Sequence, residues 1–424
     1  MSAQPSFPIP ATAQADRTTG RYIITFREDS VTEGLALLSD QAGIMGLASA
    51  ADFPDSALDL SELEAAGGAV FPTLGIAVVT LDEGAFSSVM TSAGENSAIL
   101  AIEPESTFYA IEDELSADYL RGYRDAVDNL YDKATTTELA GIEPQQCFAD
   151  DIGSTWGLKA TKVMNSLLTG SGMKVAVLDT GMDLLHPDFV GRSIVSQSFV
   201  PGEGVQDGQG HGTHCIGTAC GFKDLNGRRY GVAHKSTIYV GKVLSNAGSG
   251  ASAWILAGME WAIANGCQVI SMSLGNTNPK QSIAYENVGR RALQNGCLIV
   301  AAAGNHGPGT VGQPANSPSI MAVAALDNCV QVPAFSSPSG ISTGAKVNIA
   351  APGVKVYSSL PMDKGRYAAY NGTSMATPHV AGIAALYAES TGKRGAQLWQ
   401  LLTSHAMALP LPSDRVGSGL VQAP

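Results

Sequence analysis

The period of hydrophobic and polar positions changes twice along this 424-residue chain. Up to about residue 105, β-branched and aromatic runs alternate with segments of helical spacing. "RYIITFR" (21–27) predicts a strand and "EGLALLSDQAGIMGLA" (33–48) a helix. "GAVFPTLGIAVVTLD" (68–82) predicts two strands, "EGAFSSVMTSAG" (83–94) a short helix closed by Gly94, and "SAILAIEPE" (97–105) a last strand. That order is β-α-β-β-α-β, a small ferredoxin-like α+β unit. Between 112 and 135, Leu115, Tyr119, Tyr123, Val127, Leu130 and Ala134 recur at intervals of three or four, with acidic groups on the other faces. This predicts an amphipathic helix packed on its neighbours. Residues 134–154 carry little periodicity and read as linker.

From Trp156 the pattern is different. Apolar runs at "KVAVLDTG", "TIYVGKVL", "QVISMSLG", "CLIVAAAGN" and "SIMAVAAL" are separated by helical segments such as "AWILAGMEWAIANG". Strands apolar on both faces that alternate with helices predict an α/β fold with a doubly wound, mostly parallel sheet. Four units follow: a tail (1–20), the α+β unit (21–110), a helical extension with linker (111–154) and the α/β domain (155–424). No apolar run approaches the roughly 18 residues that span a bilayer, so an integral membrane protein is not expected.

In such a sheet, ligands meet the carboxyl ends of the strands. Asp179 ends "VAVLD", Ser273 ends "VISMS" and Asn305 ends "LIVAAAGN", each breaking an apolar run with a polar group. His211 lies in the Gly-flanked turn "GHGTHCIGT", and Ser374 in "NGTSMATPHVAG" just before a helical run opened by Pro378. A carboxylate, an imidazole and a hydroxyl are the groups that nucleophilic acyl transfer requires. Asn305 adds an amide able to donate to an oxyanion. The competing reading of Ser374 is a helix cap, and the pair His211 and His214 also has the spacing of two metal ligands, with no third ligand at useful distance.

The segments "VAVLDTGMD", "GHGTHCIGT", "AAAGN" and "NGTSMATPHVAG", in that order, closely resemble the four signature segments of subtilisin-like serine proteases. The resemblance runs from about residue 155 to the C-terminus. It implies that Asp179 is the triad carboxylate, His211 the base and acid, Ser374 the nucleophile and Asn305 the oxyanion-hole side chain beside the Ser374 N–H. It also implies a primary pocket walled by Ser273, Leu274 and Gly275 and by Ala303 and Gly304, with Gly312 near its floor. Gly248, Ser249 and Gly250 would form the edge that pairs with an extended substrate. Small residues there imply a roomy apolar slot, and Ser252, where some relatives carry an aromatic lid, implies an open distal pocket. Cys215 resembles the buried thiol of the proteinase K branch. Asp188 in "HPDF" matches a calcium ligand of the family, and its partner loop offers Asp224 and Asn226, with Arg228 and Arg229 close by. A structural calcium is therefore the one cofactor suggested, and none is needed for the chemistry.

By the same resemblance, residues 21–105 look like an inhibitory pro-domain whose tail enters the cleft. Residues 1–154 hold 26 acidic and 6 basic side chains, and 155–424 hold 12 and 19. Opposite balances predict two parts that attract each other in cis. The basic residues are too scattered for a nucleic-acid surface. The reading is an endopeptidase made as an autoprocessing zymogen and acting as a monomer on peptides. Its processing point lies near Tyr109, within 145–154, or at both. A subtilisin-like transpeptidase and a catalytically silent binding module are the alternatives. The six cysteines show no metal-finger spacing; Cys267 and Cys297, each before an apolar strand-like run, could lie near one another in a sheet but are expected as buried free thiols, and the pattern decides no disulfide. No secretory signal is visible at the start. The expectation is a cytoplasmic protein if Met1 is the native start, or a secreted one whose signal has been removed.

Overall fold

A computed structural model describes residues 18–44, 46–49, 67–93, 97–111, 147–307, 309–340 and 343–424. The amphipathic helix expected at 112–135 lies outside these residues, as does the linker up to 146.

The N-terminal part has strands β1 (Thr18–Phe26), β2 (Ala48–Ser49), β3 (Gly68–Phe71), β4 (Ile76–Val79) and β5 (Ile99–Ala110). Helices Val31–Ala42 and Glu83–Ser92 connect them. The order β5-β1-β4-β3-β2 adds one short strand, β2, to the predicted β-α-β-β-α-β, and pairing is antiparallel throughout except β2 against β3. The first helix stops at Ala42 instead of continuing to 48, because Gly43 takes the left-handed conformation that ends a helix. The last strand continues to Ala110, five residues past the predicted end.

The second part has a parallel sheet of β6 (Lys174–Asp179), β7 (Ile194–Ser198), β8 (Thr237–Lys242), β10 (Val269–Met272), β12 (Leu298–Ala302), β13 (Met321–Leu326) and β14 (Ile349–Pro352). Short strands β9 (Ser249–Ala251) and β11 (Leu274–Gly275) and a hairpin of β15 (Val356–Ser359) and β16 (Tyr367–Tyr370) stand outside it. The order β14-β13-β12-β10-β6-β8-β7 is doubly wound. Successive strand residues feed opposite cores: Val175 and Val177 of β6 pack on one face, Ala176 and Leu178 on the other. That two-sided burial is why these strands read as unbroken apolar runs.

Residues 147–154 are not a free linker. Phe148 N–H donates to Asn328 O at 2.8 Å, and Trp156 N–H donates to the Asp150 carboxylate at 2.7 Å. Cys147 is disulfide-bonded to Cys329, a pairing that the sequence pattern left undecided. Cys215, Cys220, Cys267 and Cys297 are buried and free.

The two parts meet along β5 and the helices Ser252–Ala264 and Ile283–Gln294. Among the described residues, Glu28–Arg290 at 3.0 Å is the one ion pair that joins them, and both side chains are well exposed. Such a pair contributes little. The half-buried Glu103 and the buried Glu105 and Glu260 carry the polar contact instead. Glu103 accepts from Ala284 N–H at 2.8 Å and from the Ser282 hydroxyl at 3.2 Å, at the start of one helix. Glu105 accepts from Ala253 N–H at 2.7 Å, at the start of the other. In return, Glu260 accepts Thr73 and Leu74 N–H, each at 3.0 Å. Glu103 and Glu105 thus act through helix N-termini, whose open N–H groups favour anions.

The disulfide has a direct chemical readout. Unfolded but unreduced protein takes up four alkylating groups, one for each free thiol. After reduction it takes up six. Intact mass checks both numbers.

Candidate active site

Asp179 ends β6 and His211 begins the helix His211–Cys220, whose first turn lies against the turn that follows β6. The approach is so close that a Cβ on Gly212 would sit 2.3 Å from Gly181 O, so only glycine fits. Asp179 Oδ1 accepts from His211 Nδ1 at 2.7 Å and from Thr180 N–H at 2.8 Å. Both side chains are buried. Burial works against charge on His211, but the adjacent carboxylate outweighs it and holds the imidazole well above its ordinary 6.5. His211 Nε2 is buried and has no hydrogen-bond partner among the described residues.

Ser374 lies in the first turn of the helix Thr373–Thr391, which runs buried against β10, β12, β13 and β14. The helix starts five residues before Pro378, so the sequence signal marks its second turn and not its opening. Pro378 has no N–H for the Ser374 carbonyl four residues back. That carbonyl instead accepts from Ser273 Oγ at 2.8 Å and from Cys215 Sγ at 3.5 Å. Cys215, which lies 3.9 Å from His211 Nδ1 on its own helix, ties that helix to the Ser374 helix through this bond. Ser374 Oγ makes no capping bond. It donates towards Ile111 O at 2.7 Å and towards Ser273 O at 3.1 Å, so the cap reading fails.

Asn305 follows β12. Its Oδ1 accepts from Thr373 N–H at 2.9 Å and from Thr373 Oγ1 at 3.0 Å, which fixes the flip of the amide. Nδ2 therefore faces the Ile111 carbonyl, at 3.4 Å. Gly372, at φ 148°, leaves space for this: a Cβ there would be 3.0 Å from Nδ2.

The residues expected to bind substrate surround the end of β5. Gly250 pairs with Phe108 and Ser249 with Tyr109 on one side, while Leu274 pairs with Ala110 and Gly275 with Tyr109 on the other. Ala110 N–H donates to Gly248 O at 2.8 Å, and Ile111 N–H to Ser273 O at 3.2 Å. Ile111 is 7% exposed and its Cδ1 would be 3.0 Å from a Cβ on Gly275. Gly312 closes on Asn276, whose carbonyl a Cβ would meet at 1.9 Å. Ala303 and Gly304 are buried behind Asn305, with Gly304 N–H donating to Thr373 Oγ1 at 3.2 Å. The Ser252 hydroxyl donates to Ser106 O, and Phe108 is fully buried with an edge contact to Tyr285; Ser252 and Tyr285 also line a cavity of about 200 Å³.

His214 is not a metal partner for His211. It stacks on Tyr370, its Nε2 faces Val356 O and Ala368 O, and burial beside His211 pulls it down to about 3. Burial pushes the Cys215 thiol up, so it is no nucleophile.

The residues expected to hold calcium do not fit a cation. Asp188 accepts phenol hydrogens from Tyr230 at 2.8 Å and Tyr367 at 2.9 Å, with Arg366 at 3.9 Å. Asp224 accepts from Asn226 N–H and Arg228 N–H, each at 2.9 Å, and from Tyr357 OH at 3.0 Å. Tyr230, Tyr357 and Tyr367 touch one another between the two acids. Phenols and guanidiniums occupy the lone pairs that a hard cation would use.

A family model described as the subtilase family matches residues 170–419. Subtilisin of Bacillus pumilus is 46% identical over 235 residues, 54% of this chain and 81% of that protein. Subtilisin E of Bacillus subtilis is also 46% identical over 235 residues, and the match covers 58% of its length. Subtilisin Savinase of Lederbergia lenta is 43% identical over 273 residues, 63% of this chain and 96% of that protein. The chain belongs to the subtilase family. It is a subtilisin-like serine protease. These relatives are subtilisins, and the likeness to the proteinase K branch stays an expectation. They lend no support to a transpeptidase or a silent module.

The phenol-held acids predict indifference to calcium. A site occupied at a hundredfold excess over its Kd would add about 2.7 kcal/mol, which is several degrees of melting temperature at this size. Melting curves in millimolar calcium and in chelator should coincide, while Tyr230→Phe lowers both alike. A calcium-dependent rise of several degrees would show that a cation displaces the phenols.

Proposed function

We propose that this chain is the zymogen of a serine endopeptidase that cuts its own Ile111–Glu112 bond. The observation that carries this reading is the Ile111 carbonyl, which lies 2.7 Å from Ser374 Oγ and 3.4 Å from Asn305 Nδ2. Residues 107–110 lead to it as an extended strand paired on both edges, the conformation in which proteases take substrate.

In this reading Ser374 Oγ attacks the Ile111 carbonyl carbon and His211 Nε2 takes its proton. Asp179 holds the imidazole through Nδ1 and stabilises the imidazolium. Asn305 Nδ2 and the Ser374 N–H receive the developing oxyanion, and protonated His211 then delivers its proton to the leaving Glu112 nitrogen. Every group in the sequence of steps belongs to the protein. Water hydrolyses the acyl-enzyme at Ile111, leaving residues up to 111 as an inhibitor in the cleft. Residues 112–146 stay with the larger fragment. The N-terminal unit is thus a pro-domain acting in cis. Peptide substrates of the released enzyme carry an aliphatic residue before the cut, as Ile111 does, and an aromatic one three places earlier, as Phe108 does.

Intact mass and N-terminal sequencing test the bond. The wild type should split once after residue 111, with the larger piece beginning Glu-Asp-Glu-Leu, and Ser374→Ala should stay whole. A split elsewhere, or one that persists in Ser374→Ala, would sink the assignment.

A base must be neutral to accept a proton. Because the Asp179 contact raises His211 above 6.5, activity is lost as pH falls through that higher value. The acid limb of kcat/KM for the processed enzyme should therefore lie above 6.5, and Asp179→Asn should move it down while cutting the rate about 10⁴-fold. A wild-type limb below 6.5 would contradict this role for the pair.

A further inference from the structure

Asp207 belongs to none of the motifs above, yet it is 1% exposed and accepts five hydrogen bonds. Its Oδ1 takes Thr180 Oγ1–H at 2.8 Å, Gln209 N–H at 3.1 Å and Gly210 N–H at 2.7 Å. Its Oδ2 takes Thr213 N–H at 2.8 Å and Thr213 Oγ1–H at 2.7 Å. A carboxylate with these bonds grips two separate elements. Gly210 and Thr213 bracket His211 on its helix, while Thr180 follows Asp179 on β6.

Thr180 is the other half of the grip, engaged through all three of its polar atoms. Its N–H donates to Asp179 Oδ1 at 2.8 Å. Its hydroxyl, besides donating to Asp207, accepts Gly212 N–H at 2.8 Å. Its carbonyl accepts from the fully buried Lys242 Nζ at 2.6 Å. Lys242 also holds Asn246 Oδ1 at 3.0 Å and Glu203 at 3.2 Å. The Asp179 and His211 side chains meet through the single bond between Nδ1 and Oδ1, and that bond has a low tolerance for displacement.

We propose that Asp207 and Thr180 are positioning residues that set where His211 stands relative to Asp179. This rests on the catalytic reading of Asp179, His211 and Ser374. Asp207 touches none of the reacting atoms; it acts through the two backbones that carry them. The alternative, a simple cap on the His211–Cys220 helix, accounts for Thr213 N–H and Gly210 N–H. It gives no reason for Thr180, which is on a different element and spends its hydroxyl on this one junction.

The two readings separate in kinetics. Asp207→Asn, Thr180→Val and Thr180→Ser are made in the full chain, processed by a trace of wild-type enzyme and repurified. Burst titration with an acylating active-site titrant counts the folded, competent sites. Asp207→Asn and Thr180→Val should then lower kcat per titrated site by about ten- to hundredfold, the effect of a sub-ångström to 1 Å misplacement. KM should stay within about twofold, because the strand edges that bind peptide are untouched. Thr180→Ser, which keeps the hydroxyl, should recover most of what Thr180→Val loses. If kcat per titrated site equals the wild type in both variants while the melting temperature falls, Asp207 is a cap only. If Asp207→Asn yields no titratable sites, the near-isosteric Thr180→Val alone decides between the same two outcomes. A wild type that gives no burst would overturn the catalytic assignment itself, before the positioning question arises.

Discussion

Residues 107–110 fill a gap between two short strands, β9 and β11, that do not reach one another. A strand edge with open N–H and C=O groups accepts any extended chain of suitable side chains. Two facing edges accept one still more readily, because both sides of its backbone are satisfied. The rest of the assembly follows from that vacancy. β5 overruns its own sheet to enter it, and Phe108 and Ile111 are buried on the way. The N-terminal unit is then held where Glu103 and Glu105 reach two helix starts. In the zymogen reading, inhibitor and substrate occupy the cleft by the same backbone bonds, and what distinguishes them is what holds them in place outside the cleft.

Much of this could be read from the chain. Asp179, Ser273 and Asn305 stood out because a strand buried on both faces has no use for a polar residue, and each ended such a strand. Ser374 and His211 were legible from glycine-flanked turns at helix starts. The N-terminal topology was legible from its change of period. Other features left weaker traces. The overrun of β5 depends on partners more than 130 residues away, so the strand seemed to end where its own apolar pattern did. Cys147 and Cys329 are 182 residues apart, and no local spacing links them. Asp188 and Asp224 looked like cation ligands because sequence shows the carboxylates but not which phenols fold over them.

Asp207 and Thr180 show a different kind of silence. A buried carboxylate that accepts only from neutral N–H and O–H donors pairs with no basic residue that a charge pattern would reveal. One signal existed: an aspartate shortly before a helix of known start is a cap candidate. That signal locates Asp207 near the helix, but not the bond to β6 that gives it a second task. Charge in this protein is handled this way repeatedly. Asp207, Glu103, Glu105 and Glu260 all accept from backbone amides.

Among the described residues His211 Nε2 has no hydrogen-bond partner, and neither do Asp179 Oδ2 and His214 Nδ1 beside it. Leaving a buried polar atom unpaired costs about 1–3 kcal/mol, a cost that the proposed proton-accepting role of Nε2 accounts for. Any protein group placed on Nε2 would have to be displaced before the atom could accept a proton. In the proposed mechanism Ser374 Oγ, turned here towards Ile111 O and Ser273 O, gives its proton to that atom, and the bonds of Asp179, Thr180 and Asp207 hold the two backbones that carry the pair.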